Sequence, residues 1–336
     1  MKQAIESFST VGSHFMFRRF WQSMMIGLAR SARITRFMQT NRTTSVLADR
    51  YTGGDDAHSG VSRAGALWQE SHMRSSLFYL GEYIENPDLV TLNTVQKIEV
   101  AGKLAAAGLD VHISFDPTQL GFGLAPEIAR ENALRIATEV KHRIGQTTSP
   151  EHLHCLMFDM EDASVIDATI AMHDEFAELD YPVALTLQAY LHRTKQDLER
   201  QIRRGHRVRL VKGAFVAGSD ISHTVRVDIK QNMRDLICLM FSKTAKESGF
   251  YPIVATHDAA IQDFALAQAQ KNGWEQGRYE FEMLLGVREN LAQDLAKNGE
   301  RIRLYVPFGK DWWPYGVRRI GENPGNGLLL ARSLFS

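Results

Sequence analysis

Short apolar runs recur eight times along the chain, spaced so that one helix fits between most neighbours, and this rhythm restricts the fold more than any single motif. The runs are SLFYLG (76–81), DVHISF (110–115), CLMFDM (155–160), PVALTLQ (182–188), RVRLVKG (207–213), PIVAT (252–256), YEFEML (279–284) and RLYVPFG (303–309). Between them lie segments with apolar residues at three-and-four spacing, the mark of an amphipathic helix: 93–107, 127–144, 163–179, 194–204, 228–248 and 259–272. A loop rich in Gly, Asp and Ser, followed by one more helix, is expected over 50–69. Strand and helix in alternation imply parallel strands joined by right-handed crossovers. The runs are nearly continuous rather than alternating, as expected of strands covered on both faces. The count predicts an α/β chain closed into a (β/α)8 barrel of TIM type. An open doubly wound sheet is the alternative, but no run is followed by the GxGxxG of the dinucleotide-binding class.

In such a barrel the functional groups sit at the C-terminal ends of the strands. The polar residues found there are Glu82, Asp116, Asp159 with Glu161 and Asp162, Gln188, Arg209 with Lys212, Thr256 with His257, Glu282 and Tyr305. Each alone has an ordinary explanation, since a strand-end carboxylate often caps the next helix and a strand-end His often only bonds a neighbouring loop. Because nearly every strand contributes, one shared site is the better reading.

The stretch IRLYVPFGKDWWPYGVRRIGEN (302–323) adds chemistry to that site. It reads as the last strand feeding a helix, with Pro314 in the first turn, where its missing N–H leaves no bond unmade. Asn323-Pro324-Gly325 then ends the helix. At about 100° per residue, Tyr315, Arg318, Arg319 and Glu322 share one face. Two guanidinium forks beside an aromatic ring suit a small carboxylate, although a solvated helix with an Arg318–Glu322 ion pair would look the same.

Charge limits the partners. The chain carries 39 basic and 39 acidic residues, so no global field draws it to nucleic acid. The exception is the first 42 residues, where Lys2 and six arginines face Glu6 alone within a Met- and Phe-containing segment. Charges interrupt that segment too often for a membrane span, and no secretory cleavage pattern follows, so a helical extension over 1–47 is expected ahead of a barrel over 48–336. Its apolar face either docks on the barrel or makes a peripheral membrane contact, with docking preferred. Cys155 and Cys238 are too few for a disulfide framework and suit a reducing cytoplasm.

Six motifs, in order and together, carry a resemblance: FDMED (158–162), QAYLHRT (188–194), RLVKGAF (209–215), ATHD (255–258), FEMLLG (281–286) and YVPFGKDWWPYGVRRIGENPGN (305–326). From about residue 48 to the end the chain resembles the proline dehydrogenases, flavoenzymes with a distorted (β/α)8 barrel. The resemblance implies noncovalent FAD at the strand C-termini, L-proline or a close analogue as hydride donor, and a quinone as electron acceptor. It implies that Gln188 bonds the pyrimidine side of the flavin and that Arg209 lies near its N5 and O4. Lys212, Gly213 and Ala214 would line the phosphate-bearing chain, Thr256 and His257 would extend that contact, and Met160 would lie beside the cofactor. Asp159 would order the site through Arg209 or a substrate-side network. Arg318 and Arg319 would clamp the substrate carboxylate, with Tyr305 and Tyr315 walling its ring.

Three positions depart from the family pattern. Asp116, in FDPTQLG, stands where a lysine usually helps hold the carboxylate; Phe215 stands for Tyr, and Asp258 for Asn. An acid at 116 repels a carboxylate unless it faces away, pairs with an arginine, or meets a substituent such as the hydroxyl of hydroxyproline. Pro117 restrains Asp116 to extended backbone. Two other readings stay open from the residues: a barrel lyase using Lys212 as a Schiff-base amine, and a barrel without catalysis.

Overall fold

All eight apolar runs form strands in the computed structural model, which describes residues 45–81, 84–144, 153–215 and 217–322, with side chains from residue 48 to residue 317 within those ranges. The strands are β1 (Arg74–Tyr79), β2 (His112–Phe115), β3 (Cys155–Phe158), β4 (Val183–Gln188), β5 (Arg207–Val211), β6 (Tyr251–Ala255), β7 (Glu280–Leu284) and β8 (Ile302–Phe308). They pair in sequence order, and β8 returns to β1 in parallel register, from Arg74 opposite Arg303 to Tyr79 opposite Phe308, closing the barrel. The open-sheet alternative is thereby excluded.

Helices α1 (Ser45–Tyr51) and α2 (Ala57–Ser71) precede β1. Outside the barrel follow α3 (Pro87–Ala106), α4 (Pro126–Ile144), α5 (Ile166–Glu178) and α6 (Thr194–Arg203). The remainder are α7 (Arg226–Met240), α8 (Lys243–Glu247), α9 (Ala259–Lys271), α10 (Glu289–Lys297) and α11 (Trp312–Glu322). Local chemistry sets these limits. Asn86 caps α3 by accepting from the N–H of Asp88 at 2.8 Å, with Pro87 in the first turn. The single helix expected over 228–248 is two: Ser242 has extended backbone and its Oγ accepts from the Ala245 N–H at 3.2 Å, starting α8. Helix α10 is absent from the sequence expectation, because only two helical turns separate β7 from β8 and so short a stretch shows little periodicity. Among the described residues no helix is long and apolar enough to cross a membrane.

The main apolar core is the shell between strands and helices, where Leu77, Ile113, Leu156, Leu185, Val208, Val254, Phe281 and Leu304 meet Val100, Ile136, Ile170, Leu198, Leu236 and Ile261. The expectation that both strand faces are apolar is corrected on the inner face. Strand side chains alternate, so Glu280 and Glu282 on β7, and Arg303 and Tyr305 on β8, project inward in pairs. Arg303 is fully buried. It donates to Glu280 at 2.9 Å, to Asp110 at 2.9 Å and to the Ser75 carbonyl at 3.0 Å. Above it His112 meets Ser76 at 2.9 Å, and Ser76 meets Ser114 at 3.1 Å. A barrel lined this way is held by paired charges rather than by stacked aliphatic layers, and each charge needs its partner to remain buried.

Candidate active site

The polar lining continues upward into a cluster centred on Arg209. Its Nε lies 2.6 Å from Glu282 Oε2, and its Nη2 donates to Ser114 Oγ at 3.2 Å. Nη1 donates to Asp159 Oδ1. Asp159 also accepts from Thr186 at 3.2 Å and, on its other oxygen, from the Tyr305 hydroxyl at 2.9 Å. The guanidinium carbon stands 5.5 Å from the centroid of the Tyr305 ring. Residues from β2, β4, β5, β7, β8 and the end of β3 thus converge on one cation, an arrangement that only a closed barrel can make.

Burial dominates the electrostatics of this cluster. Desolvation pushes the Glu282 carboxyl up to about 7 against the opposing pull of Arg209. Desolvation likewise raises Asp159, although Arg209, Tyr305 and Thr186 all favour its ionised form. Burial would lower the Arg209 guanidinium, but Glu282 and Asp159 outweigh it and hold the cation firmly. The Tyr305 hydroxyl is pushed well above its usual value by burial and by the neighbouring Asp159 charge, so it stays a donor.

Gln188, at the end of β4, is buried. Its amide nitrogen donates to the carbonyls of Met160 at 2.9 Å and Glu161 at 3.0 Å. Both N–H groups are spent on backbone, and its Oε1 is buried with no hydrogen-bond partner among the described residues. A buried acceptor left unused costs free energy unless something donates to it. The neighbouring Glu161 turns the other way: it accepts from the N–H of Thr118 at 3.0 Å and from its hydroxyl at 2.5 Å. Gln119 accepts from the Asp116 N–H at 3.3 Å and donates to the Tyr79 carbonyl at 2.8 Å. Thr118 and Gln119 therefore tie the end of β2 to β3 on one side and to β1 on the other. The sequence does not foretell these tethers, since Glu161 is there only one of several strand-end acids.

The rim after β5 is exposed. Lys212 and Ala214 face solvent, and Gly213 has φ 98° with the Tyr190 ring packed so closely that a β-carbon would lie 2.1 Å from it. Only glycine fits there. An exposed Lys212 keeps the hydration of its ammonium, which removes the desolvation that a Schiff-base amine requires. After β6, His257 Nε2 accepts from the Leu284 N–H at 2.9 Å, which fastens this loop to the end of β7. Thr256 Oγ1 accepts from the N–H of Asp258 at 3.2 Å. Asp258 caps α9 through the Ala260 N–H at 3.1 Å and pairs with Lys230 at 2.8 Å, so the charge it adds relative to Asn has a local partner.

On the β1–β2 side, Asp116 has the extended backbone expected ahead of Pro117 (φ −91°, ψ 134°). Its charge acts on Tyr305 and on a buried lysine, Lys97 of α3, which the sequence alone does not single out. Tyr315 is buried with Tyr51, Phe78, Trp312 and Trp313, and Tyr305 packs against that cluster. Arg318 and Arg319 lie on α11, which forms as expected; their side chains, like Glu82 and the segment 323–327, fall outside what the structure describes.

Comparison with known proteins agrees with this geometry. The sequence pattern of the family described as proline dehydrogenase matches residues 129–331, more than half of the chain. The chain is 29% identical over 290 residues to proline dehydrogenase 2 of Bacillus subtilis (strain 168), covering 86% of this chain and 90% of that protein. It is 29% identical over 295 residues to the proline dehydrogenase of Deinococcus radiodurans, covering 86% and 90% respectively. In three dimensions it is similar to the crystal structure of proline utilization A from Bdellovibrio bacteriovorus inactivated by N-propargylglycine, with a TM-score of 0.73 and 18% identity. That likeness covers 95% of this chain but only 38% of the other, so it speaks for the barrel fold alone. With a family pattern matched across the motifs that line the barrel mouth, the chain belongs to the proline dehydrogenase family.

Proposed function

We propose that this member of the family oxidises L-proline to 1-pyrroline-5-carboxylate, using FAD held at the C-terminal mouth of the barrel and passing electrons to a quinone-type acceptor. The observation that carries the reading is Gln188: its two N–H groups are committed to backbone and its buried Oε1 awaits a donor, which fits the N–H of a flavin pyrimidine ring. Gly213 fits as well, since its conformation lets backbone approach a phosphate chain closely, with the Lys212 ammonium exposed beside it. Met160, Ala214, Thr256 and His257 complete the residues assigned to the cofactor. Bound there, FAD supplies a two-electron acceptor for the hydride on the ring carbon next to nitrogen.

The chain's own residues do the rest. Arg209, fixed by Glu282 and Asp159, offers a preorganised cation where negative charge develops, without reorganisation during the reaction. Asp159 also fixes the Tyr305 ring through its hydroxyl. Tyr305 and Tyr315 wall the apolar ring of the substrate, and Arg318 and Arg319 hold its carboxylate, so that transfer is an oriented, unimolecular step. The basic segment 1–44 lies outside the described residues. We assign it to the barrel surface in a cytoplasmic enzyme, with contact to an anionic membrane as its second use.

The test is direct. Purified protein should be yellow, and L-proline added without oxygen should bleach the flavin band with appearance of the cyclic imine. A colourless protein that leaves proline unchanged refutes the reading.

A further inference from the structure

The end of the barrel where the strands begin opens into a cavity of about 540 Å3, within the size range of small-molecule sites. Three arginines line it. Arg207 is the first residue of β5, Arg301 directly precedes β8, and Arg278 lies in the loop that leads into β7. Gly205 completes the wall beside Arg207: it has φ 69°, and a β-carbon there would lie 2.3 Å from the Ser248 carbonyl oxygen. Glycine at 205 is thus what lets the ends of α6 and α8 meet. Tyr251, opposite Arg207 in the register of β5 with β6, also lines the cavity. Its ring packs on Cys155, Met157, Ala184 and Ile253, a buried apolar cluster. These residues alternate with the outward-facing Leu156, Leu185 and Val254, so they fill the inside of the barrel. The cavity is therefore walled off from the Arg209 cluster, which starts two residues further along β5.

Little of the positive charge here is spent. Arg207 Nη1 donates to the His154 carbonyl at 2.9 Å. Arg301 Nη1 donates to the Tyr251 hydroxyl at 2.9 Å and to the Gly277 carbonyl at 2.7 Å. Arg278 is exposed, and its side chain makes no hydrogen bond among the described residues. None of the three has a carboxylate within 4.0 Å among the described residues. The acids of the neighbouring elements are committed elsewhere: Glu300 accepts from Gln276 at 2.9 Å, and Glu280 accepts from Arg303 at 2.9 Å. Backbone tethering accounts for one nitrogen of Arg207 and one of Arg301. It leaves Arg278 and the other nitrogens of the two tethered forks without a protein acceptor, and a guanidinium carries five N–H donors.

The lining defines what would bind. No carboxylate lines the cavity, and the Tyr251 hydroxyl, which accepts from Arg301, still has its own proton to donate. A ligand must bring both the acceptors and the negative charge. Each planar fork matches a pair of oxygens on a carboxylate or phosphate, so three forks suit a molecule with more than one negative charge. We propose that the N-terminal end of the barrel is a second binding site, in which Arg207, Arg278 and Arg301 hold a small molecule carrying two or more negative charges on phosphate or carboxylate groups.

The experiment is calorimetric titration of the holoenzyme, unaltered and as Arg278→Gln, Arg207→Gln and the double variant. The probes are pyrophosphate, succinate and the monoanion acetate, at about 0.15 M salt, where diffuse charge is screened beyond about 8 Å. The unaltered protein is expected to bind one equivalent of pyrophosphate or succinate with Kd below about 1 mM, and acetate at least tenfold more weakly. Which dianion binds more tightly tells a phosphate ligand from a dicarboxylate. Arg278→Gln is expected to weaken that probe about three- to tenfold and the double variant roughly ten- to hundredfold, as charge-assisted bonds are lost. KM for L-proline should not change when the probe is present, because the apolar cluster separates the two ends. Arg278 holds no other group, so its replacement folds, and it decides the matter alone if Arg207→Gln does not. Neither dianion binding up to about 10 mM, affinity unchanged in Arg278→Gln, acetate binding as well as the dianions, or a probe that competes with proline each overturns the assignment. A protein that binds a dianion through Arg278 yet leaves proline unoxidised refutes the proline reading and leaves this site standing.

Discussion

Replacing Arg209 with Met separates a cation that merely occupies the barrel from one on which the barrel's charge balance depends. Methionine keeps much of the length and the apolar stem but removes the charge shared by Glu282 at 2.6 Å and by Asp159. Both acids are nearly inaccessible to solvent, Glu282 at 3% and Asp159 at 8% exposure, so water cannot take over. Breaking a buried pair by removing one partner typically costs about 3–5 kcal/mol, and here one arginine serves two carboxylates. At roughly 2 °C per kcal/mol for a chain of this size, thermal unfolding monitored by circular dichroism should shift down by about 6–10 °C. The pH dependence carries the sharper information. Glu282 already titrates near 7 when folded, above its ordinary value of 4.5, so between those pH values the folded state holds a proton that the unfolded state has lost. Its contribution to stability is therefore largest at the acid end of that window and declines as pH rises through about 7. Without Arg209 both acids hold protons more tightly when folded. The variant should thus recover stability more steeply than the unaltered protein as pH falls from 8 to 6, and a second change, Glu282→Gln, should return part of the loss at pH 8. A variant with unchanged stability and an unchanged pH slope would refute the claim that these charges are mutually dependent.

Three further outcomes are expected. Arg318→Ala or Arg319→Ala should raise KM for proline roughly ten- to hundredfold while flavin stays bound, because each removes charge-assisted bonds worth about 1.5–3 kcal/mol; steady-state kinetics with absorbance of the purified protein checks it, and loss of flavin at unchanged KM contradicts it. Gly213→Ala should weaken FAD retention or lower stability by about 1–3 kcal/mol, since its β-carbon would lie 2.1 Å from Tyr190 at φ 98°; gel filtration followed by flavin quantification reads the first effect and thermal unfolding the second. Deleting residues 1–40 should leave the barrel folded yet lower turnover with a membrane quinone more than with a soluble dye, because each basic residue near an anionic surface contributes about 1 kcal/mol; equal losses with both acceptors would count against the membrane contact.

What the sequence revealed and what it concealed follow from the same geometry. The strands were legible because their outer faces must be apolar to meet the helices, and Leu77, Ile113, Leu156 and Val254 announce that face plainly. The ends of β3 and β4 were legible because Asp159 and Gln188 break an apolar run with a polar group, whereas Arg209 and Tyr305, expected at strand ends, stand in the middle of β5 and β8 on the inner face. The inner face was harder to read. Glu280, Glu282 and Arg303 alternate with Phe281, Met283 and Leu304, and a window averaging both faces reports an ordinary hydrophobic strand. Read at period two, YEFEML and RLY already show charges on one side only. Lys97 was hidden for a different reason. It belongs to a helix in which seven positions are buried, and one lysine within a three-and-four pattern looks like a frayed edge of the apolar stripe. The charges that act on it, Asp116 and Asp159, stand nineteen and more positions later at the ends of two other strands, and only the pairing of β1 with β2 and of β2 with β3 brings them into one field.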